Sequence, residues 1–187
     1  TEGGGHGGTR ATLTLVPELA DLIAKRAPQT LLCAAGGIAD GRGLAAALML
    51  GADGVVVGTR FWASSEALVH PNLHAAALAA SGDDTVRQSV LDIVRGRPWP
   101  ARYTGRVLKN EFVGEWLGRE DKLREAKAGQ IERYRDASKA ADARIAATIV
   151  GEAVGLIQAI EPAATILERM VSEAEALLKG AGRFVER

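Results

Sequence analysis

The residues best suited to chemistry lie in three short glycine-rich stretches. The first is Gly3-Gly4-Gly5-His6-Gly7-Gly8. Glycine lets a ligand approach the backbone and leaves the His6 imidazole uncovered. Histidine changes charge close to physiological pH, so His6 can act as a general base on a carbon acid. The same residues also suit a disordered terminal loop. The second stretch, Ala35-Gly36-Gly37, ends an apolar run, and the third, Gly58-Thr59-Arg60, follows Val55-Val56-Val57. A strand ending on glycine bares backbone N–H groups with no Cβ in the way. The helix that follows points its positive dipole end at the same place, an arrangement suited to phosphate. Thr59 adds a hydroxyl donor, and Arg60 can pair with a phosphate or with a carboxylate at the rim. Tight turns needing positive φ use the same glycines, and spacing alone does not separate the two readings.

Other candidates carry less. His70 and His74 stand four residues apart, as a metal pair can, but Pro71 interrupts them and no Glu or Cys sits at ligand spacing, so no metal site is expected. Pro98-Trp99-Pro100 with Tyr103 suits either a wall over a ligand or packing between segments. Cys33, the single cysteine, excludes an intrachain disulfide and reads as a small core residue.

The elements that position these loops follow from periodicity. Residues 13–27 have helical spacing, with Pro17 placed for a first turn. Thr30 to Ala35 reads as a strand buried on both faces, Asp40 as an N-cap, Gly43 to Leu50 as a helix closed by Gly51, and Gly54 to Val57 as the next strand. That order is βαβ and implies a parallel sheet. Beyond residue 62 the pattern changes. Residues 72–81 read as a helix, 82–105 as irregular, 106–145 as charged and helical, and 146–158 and 162–179 as two further helices. In the last, Ile166, Leu167, Met170, Val171, Ala174, Leu177 and Leu178 share one face.

Composition narrows the function classes. Of 187 residues, 23 are basic and 23 acidic, so there is no cationic excess for a nucleic acid. No apolar run reaches the ~18–20 residues of a membrane span. A cytoplasmic setting is expected.

Taken in order, Gly4-Gly5-His6-Gly7-Gly8, Ala34-Ala35-Gly36-Gly37-Ile38-Ala39-Asp40-Gly41-Arg42-Gly43, Gly51-Ala52-Asp53-Gly54 and Val57-Gly58-Thr59-Arg60-Phe61 resemble the nitronate monooxygenase (2-nitropropane dioxygenase) family. Arg97 to Pro100, Arg106 with Asn110, Trp116 with Gly118-Arg119-Glu120, and Gly155-Leu156-Ile157 with Pro162-Ala163-Ala164 extend the resemblance over nearly the whole chain. It implies an α/β (β/α)8 barrel with a small helical region, a non-covalent FMN and no metal. It implies oxidation of alkyl nitronates with O2 to carbonyl compounds and nitrite. His6 would be the active-site histidine. Gly5, Gly36, Gly37, Gly58, Thr59 and Arg60 would hold the cofactor, with Gly36, Gly37, Gly58 and Thr59 around its phosphate. The partners would be a nitronate or nitroalkane and O2, with a homodimer left open. Glu152 stands where the family commonly has Gln, and a carboxylate beside the flavin would disfavour its anionic reduced form.

A whole barrel takes ~250 residues. Residues 1–70 are therefore expected to be the C-terminal portion of a barrel, about two of its eight strands with the histidine loop and phosphate turns. Residues 71–187 are expected to be a mainly helical region packed on it. Such a chain alone is expected neither to close a barrel nor to hold FMN with normal affinity. Two alternatives remain: an FMN-dependent enoyl-[acyl-carrier-protein] reductase, which shares the histidine loop and both turns, and a non-catalytic fragment whose helices form an interaction module.

Overall fold

The computed structural model describes residues 2–185. Strand β1 (Gly5–His6) leads into helix α1 (Thr12–Arg26), then β2 (Cys33–Ala35), α2 (Gly41–Met49), β3 (Gly54–Val56) and the single turn α3 (Thr59–Trp62). After these come α4 (Pro71–Leu78), β4 (Thr85–Gln88), α5 (Val90–Arg95), β5 (Gly105–Leu108), α6 (Glu111–Trp116), α7 (Glu120–Glu125), α8 (Lys127–Lys139) and α9 (Ala163–Lys179). The architecture is α/β with two small sheets. In one, β2 and β3 pair in parallel with Ala34 opposite Val55 and Ala35 opposite Val56. In the other, β5 lies between β1 and β4, antiparallel to both.

The expected βαβ unit is present. Asp40 caps α2, its Oδ1 accepting from the amides of Arg42 at 2.9 Å and Gly43 at 3.2 Å. Gly51 ends the unit at φ +96°, a conformation that favours glycine. Helix α1 starts earlier than periodicity suggests. Both Glu2 carboxylate oxygens accept from the Thr12 amide, at 3.2 and 3.1 Å, so the first turn forms at Thr12 and Pro17 sits inside the helix.

Helix α9 lies along α2, with Ile166, Met170 and Ala174 buried. A Cβ on Gly41 would lie 2.3 Å from Glu173 Cβ and 2.8 Å from the Met170 carbonyl oxygen, so glycine sets how closely the two helices approach. The expected apolar face divides. Met170 is buried, whereas Leu167 is 55% exposed and Val171 is exposed beside it. Cys33, expected in the core, is exposed, and Ala34 is the buried residue of β2. Successive strand side chains point to opposite faces.

Residues 82–145 depart further from expectation, because β4 and β5 interrupt stretches read as irregular and helical. Each is four residues long and carries an arginine, Arg87 or Arg106, which hides the strand pattern. Their sheet buries Val107 against Val90, Leu91, Val94, Phe112, Val113 and Leu123 of α5, α6 and α7. Residues 146–158 do not form a helix. Ala146, Thr148 and Val150 are buried in alternation, and the Leu108 amide donates to the Thr148 carbonyl at 2.9 Å. A short 3-10 turn follows at Glu152–Leu156. β1 joins the sheet built from residues 85–108, so the histidine loop and the later segment share one structure. Among the described residues, no helix is long and apolar enough to cross a membrane.

Gly41→Ala should destabilise the fold by about 1–3 kcal/mol through overpacking, read as a lowered urea midpoint. An unchanged midpoint would contradict the contact. A second expectation concerns acid. Burial works to raise the Asp40 carboxyl, but the Arg42 guanidinium and the Gly43 amide outweigh it and hold the group below the usual carboxylate range. A depressed folded value gives stability present above the ordinary aspartate range and lost as pH falls through the folded value. The stability advantage of wild type over Asp40→Asn should therefore shrink below about pH 4. An advantage that stays constant to lower pH would count against this contribution of Asp40.

Candidate functional site

The glycine stretches meet at one cavity of about 760 Å3. Its lining includes Gly3, Gly4, His6, Gly7, Gly8, Gly36, Gly37, Gly58, Thr59 and Gly151. The two strand-end turns adjoin because β2 and β3 are parallel neighbours in register. Gly36 and Gly37 have φ of +110° and +75°. The histidine loop lies directly on this frame. A Cβ on Gly3 would approach Gly36 Cα to 3.1 Å, and one on Gly4 would come within 2.7 Å of the Val150 carbonyl carbon. The Glu152 amide donates to the Glu2 carbonyl at 2.9 Å, and the Gly151 amide to Thr59 Oγ1 at 2.9 Å. Residues 150–152 thus tie the histidine loop to the second turn.

His6 is held from two sides. Its Nε2 lies 2.8 Å from Asp92 Oδ2 in α5, and its ring stacks on Trp99 with centroids 4.0 Å apart and planes 8° from parallel. Gly105, opposite His6 in the sheet, makes room, since a Cβ there would sit 3.3 Å from Nε2. Trp99 is therefore a plate against His6, a role distinct from both expected ones. Arg87 donates through Nη2 to the Gly7 carbonyl at 2.5 Å and through Nε to Thr104 Oγ1 at 3.2 Å, and it lines the cavity. Burial and the neighbouring Arg106 pull its guanidinium below the usual arginine range, while Glu152 opposes them. Arg10 also lines the cavity, and no Asp or Glu belongs to the described lining. Arg10 is itself ion-paired with Glu18, so together with Arg87 it lends the lining a modest positive character.

Three expected features fall elsewhere. Gly5 lies behind the lining at φ +75°, where it lets the chain enter β1. Arg60 is buried away from the cavity, its Nη2 donating to the carbonyls of Ala63 at 3.1 Å and Ala159 at 2.8 Å and lying 3.5 Å from Glu161. Burial lowers its guanidinium, with Glu161 opposing. Of the two expected partners it takes the carboxylate. Nor does α2 offer open amides. Asp40 takes those of Arg42 and Gly43, and Glu173 takes that of Gly41 at 3.1 Å. Helix α2 thus keeps none of these first amides for an anion. Glu152 also turns away: Arg106 Nη2 holds its carboxylate at 2.8 Å, so it does not line the cavity. His70 and His74 serve packing, His70 capping α4 through Nδ1 and His74 placing Nε2 3.0 Å from the Trp62 carbonyl.

Sequence reasoning missed Asp92 and Arg87. Asp92 had a signal, as the one carboxylate inside Val90-Leu91-Asp92-Ile93-Val94, and a carboxylate inside an apolar run needs a partner. It is 6% exposed.

The sequence profile of the nitronate monooxygenase family matches residues 1–173. The chain belongs to that family. Among curated relatives, it is 40% identical to nitronate monooxygenase npaC of Metarhizium robertsii, over 95% of this chain and 51% of that protein. It is 32% identical to the nitronate monooxygenase of Neurospora crassa, over 89% of this chain and 44% of that protein. Among solved structures, FabK from Thermotoga maritima superposes with TM-score 0.73 at 32% identity, over 98% of this chain and 55% of that one. The nitroalkane oxidase of Streptomyces ansochromogenes shares the fold, with TM-score 0.75 at 24% identity, over 96% of this chain and 51% of that one. The chain spans about half the length of the curated relatives it matches.

In this nitronate monooxygenase family member, Gly151→Ala should push the histidine loop off its support, because the added Cβ would lie 2.6 Å from the Glu2 carbonyl oxygen. Amide exchange at residues 2–8 should accelerate at least about tenfold. Exchange unchanged from wild type would show that this contact does not hold the loop.

Proposed function

We propose that the chain carries the histidine and phosphate-binding part of an FMN-dependent (β/α)8 barrel enzyme that oxidises alkyl nitronates with O2 to carbonyl compounds and nitrite. The single observation carrying this reading is the shared cavity. Gly36, Gly37, Gly58 and Thr59 stand beside His6, with Arg10 and Arg87 the formal charges of the described lining. Family membership and the nitronate monooxygenase relatives support the same reaction.

The residues present fit a flavin mononucleotide. The volume lies within the ~300–1,000 Å3 of small-molecule sites. Glycine turns let a phosphate approach the backbone closely, and the Thr12 hydroxyl lies against the first of them. Apolar Leu15, Leu19, Val56 and Ile149 supply a surface for a ring system. Bound there, FMN would supply the electron transfer that a nitronate, already a carbanion equivalent, needs. The chain's own contributions are positioning and charge. Arg87 places a cation beside the histidine loop, suited to the negative oxygens of a nitronate. His6 accepts a proton from the carbon bearing a neutral nitro group: the C–H bond breaks, its electron pair stays as the nitronate, and a new N–H bond forms.

A second reading, an FMN-dependent enoyl-[acyl-carrier-protein] reductase built on the same turns, draws support from the FabK likeness only at the level of a shared superfamily. One assay separates the two. The full-length protein loaded with FMN should release nitrite from an alkyl nitronate in air, without NADH. NADH oxidation dependent on an enoyl thioester, with no nitrite formed, would replace the first reading by the second. His6→Asn should slow turnover of a neutral nitroalkane by about 10²-fold or more while FMN stays bound. Undiminished nitroalkane turnover would remove His6 from proton transfer.

A further inference from the structure

We propose that Asp92 is a positioning residue that fixes the tautomer of His6, so that Nδ1 is the basic atom. The geometry is specific. Asp92 Oδ2 lies 2.8 Å from His6 Nε2. A carboxylate oxygen accepts hydrogen bonds, so the shared proton belongs to the imidazole and Nε2–H donates. A neutral imidazole with its proton on Nε2 carries its lone pair on Nδ1. Asp92 is buried on α5 and cannot reach the cavity, whose lining it does not join. It acts only through His6.

The surroundings hold the pair in place. The Leu91 amide donates to Gln88 Oε1 at 2.8 Å, anchoring the start of α5 to β4. Gly105 lies against the Cε1–Nε2 edge of the ring, where a side chain would wedge His6 away from Asp92. Trp99 stacks on the ring and restricts its rotation. When Nδ1 takes a proton from carbon, the imidazole becomes a cation, and the Asp92 carboxylate is already in contact with it. This arrangement gives the buried Asp92 carboxylate, 6% exposed, a chemical purpose.

The inference rests on the proposed proton transfer for its catalytic meaning, but its structural content can be measured separately. Nitrogen-15 chemical shifts of the His6 ring in the full-length protein report which nitrogen is protonated. Wild type should show a protonated Nε2 and a bare Nδ1 when the imidazole is neutral. Asp92→Asn can present an N–H2 donor to Nε2 in place of the carboxylate and should shift the population toward the Nδ1-protonated tautomer. Asp92→Leu removes the acceptor and should give a mixture of the two. In the FMN-loaded enzyme, Asp92→Leu and Asp92→Asn should each lower kcat for a neutral nitroalkane by about 10²-fold or more, with KM little changed. The loss for the preformed nitronate should be at least about tenfold smaller, because that substrate needs no proton removed. A wild-type imidazole protonated on Nδ1 would overturn the proposal, as would a Leu spectrum matching wild type. If the Leu variant does not fold, the wild-type and Asn spectra still decide the tautomer. If wild type releases no nitrite, the reaction fails while the spectra still test the Asp92 contact.

Discussion

Main chain packs on main chain at the centre of this structure, and only glycine permits it. Gly3 rests on Gly36, Gly4 on Val150, and Gly151 on Glu2, at separations a Cβ would violate. These crossings bring the histidine loop, the first strand-end turn and residues 150–152 into one body. The Gly151 amide then reaches Thr59 and adds the second turn. At the three glycine crossings no side chain intervenes, so the histidine loop has little freedom relative to the first turn.

Charge follows from the same frame. Helix α2 starts beside the first turn, but the carboxylates of Asp40 and Glu173 consume its first amides. Their negative charge is kept on the outer side, where Asp40 also pairs with Arg42. Glu152 is likewise drawn outward by Arg106. The polar part of the lining is glycine backbone, His6, Thr12, Thr59, Arg10 and Arg87, beside apolar side chains such as Leu15 and Ile149. The Glu2 carboxylate, by contrast, stays beside the first turn, where the Thr12 amide and hydroxyl hold it.

Local features of the sequence were legible. The two glycine turns, the Asp40 cap and the parallel pair follow from short-range patterns, because each element satisfies its own backbone within a few residues. Pattern reading failed where long-range partners decide. β4 and β5 are strands because they pair with each other and with β1, and their arginines mask the alternation. Residues 146–158 looked helical because Ala146, Val150 and Val154 are four apart, yet alternate burial and the bond from Leu108 make the first part extended. Arg60 sits next to Thr59 in sequence, but the turn of α3 sends its side chain to Glu161. Asp92 is 86 residues from His6, a separation no local pattern bridges.

The central claim is that glycine turns at neighbouring strand ends hold a dianionic group beside His6. Comparing FMN with riboflavin, which shares the ring system but lacks the phosphate, tests it most directly. Titrating both into the full-length apoprotein and following quenching of flavin fluorescence gives the ratio. The account predicts FMN binding at least about a hundredfold tighter, from two or more charge-assisted hydrogen bonds. Equal affinities would mean that the turns hold no phosphate, and the account would be wrong at its root.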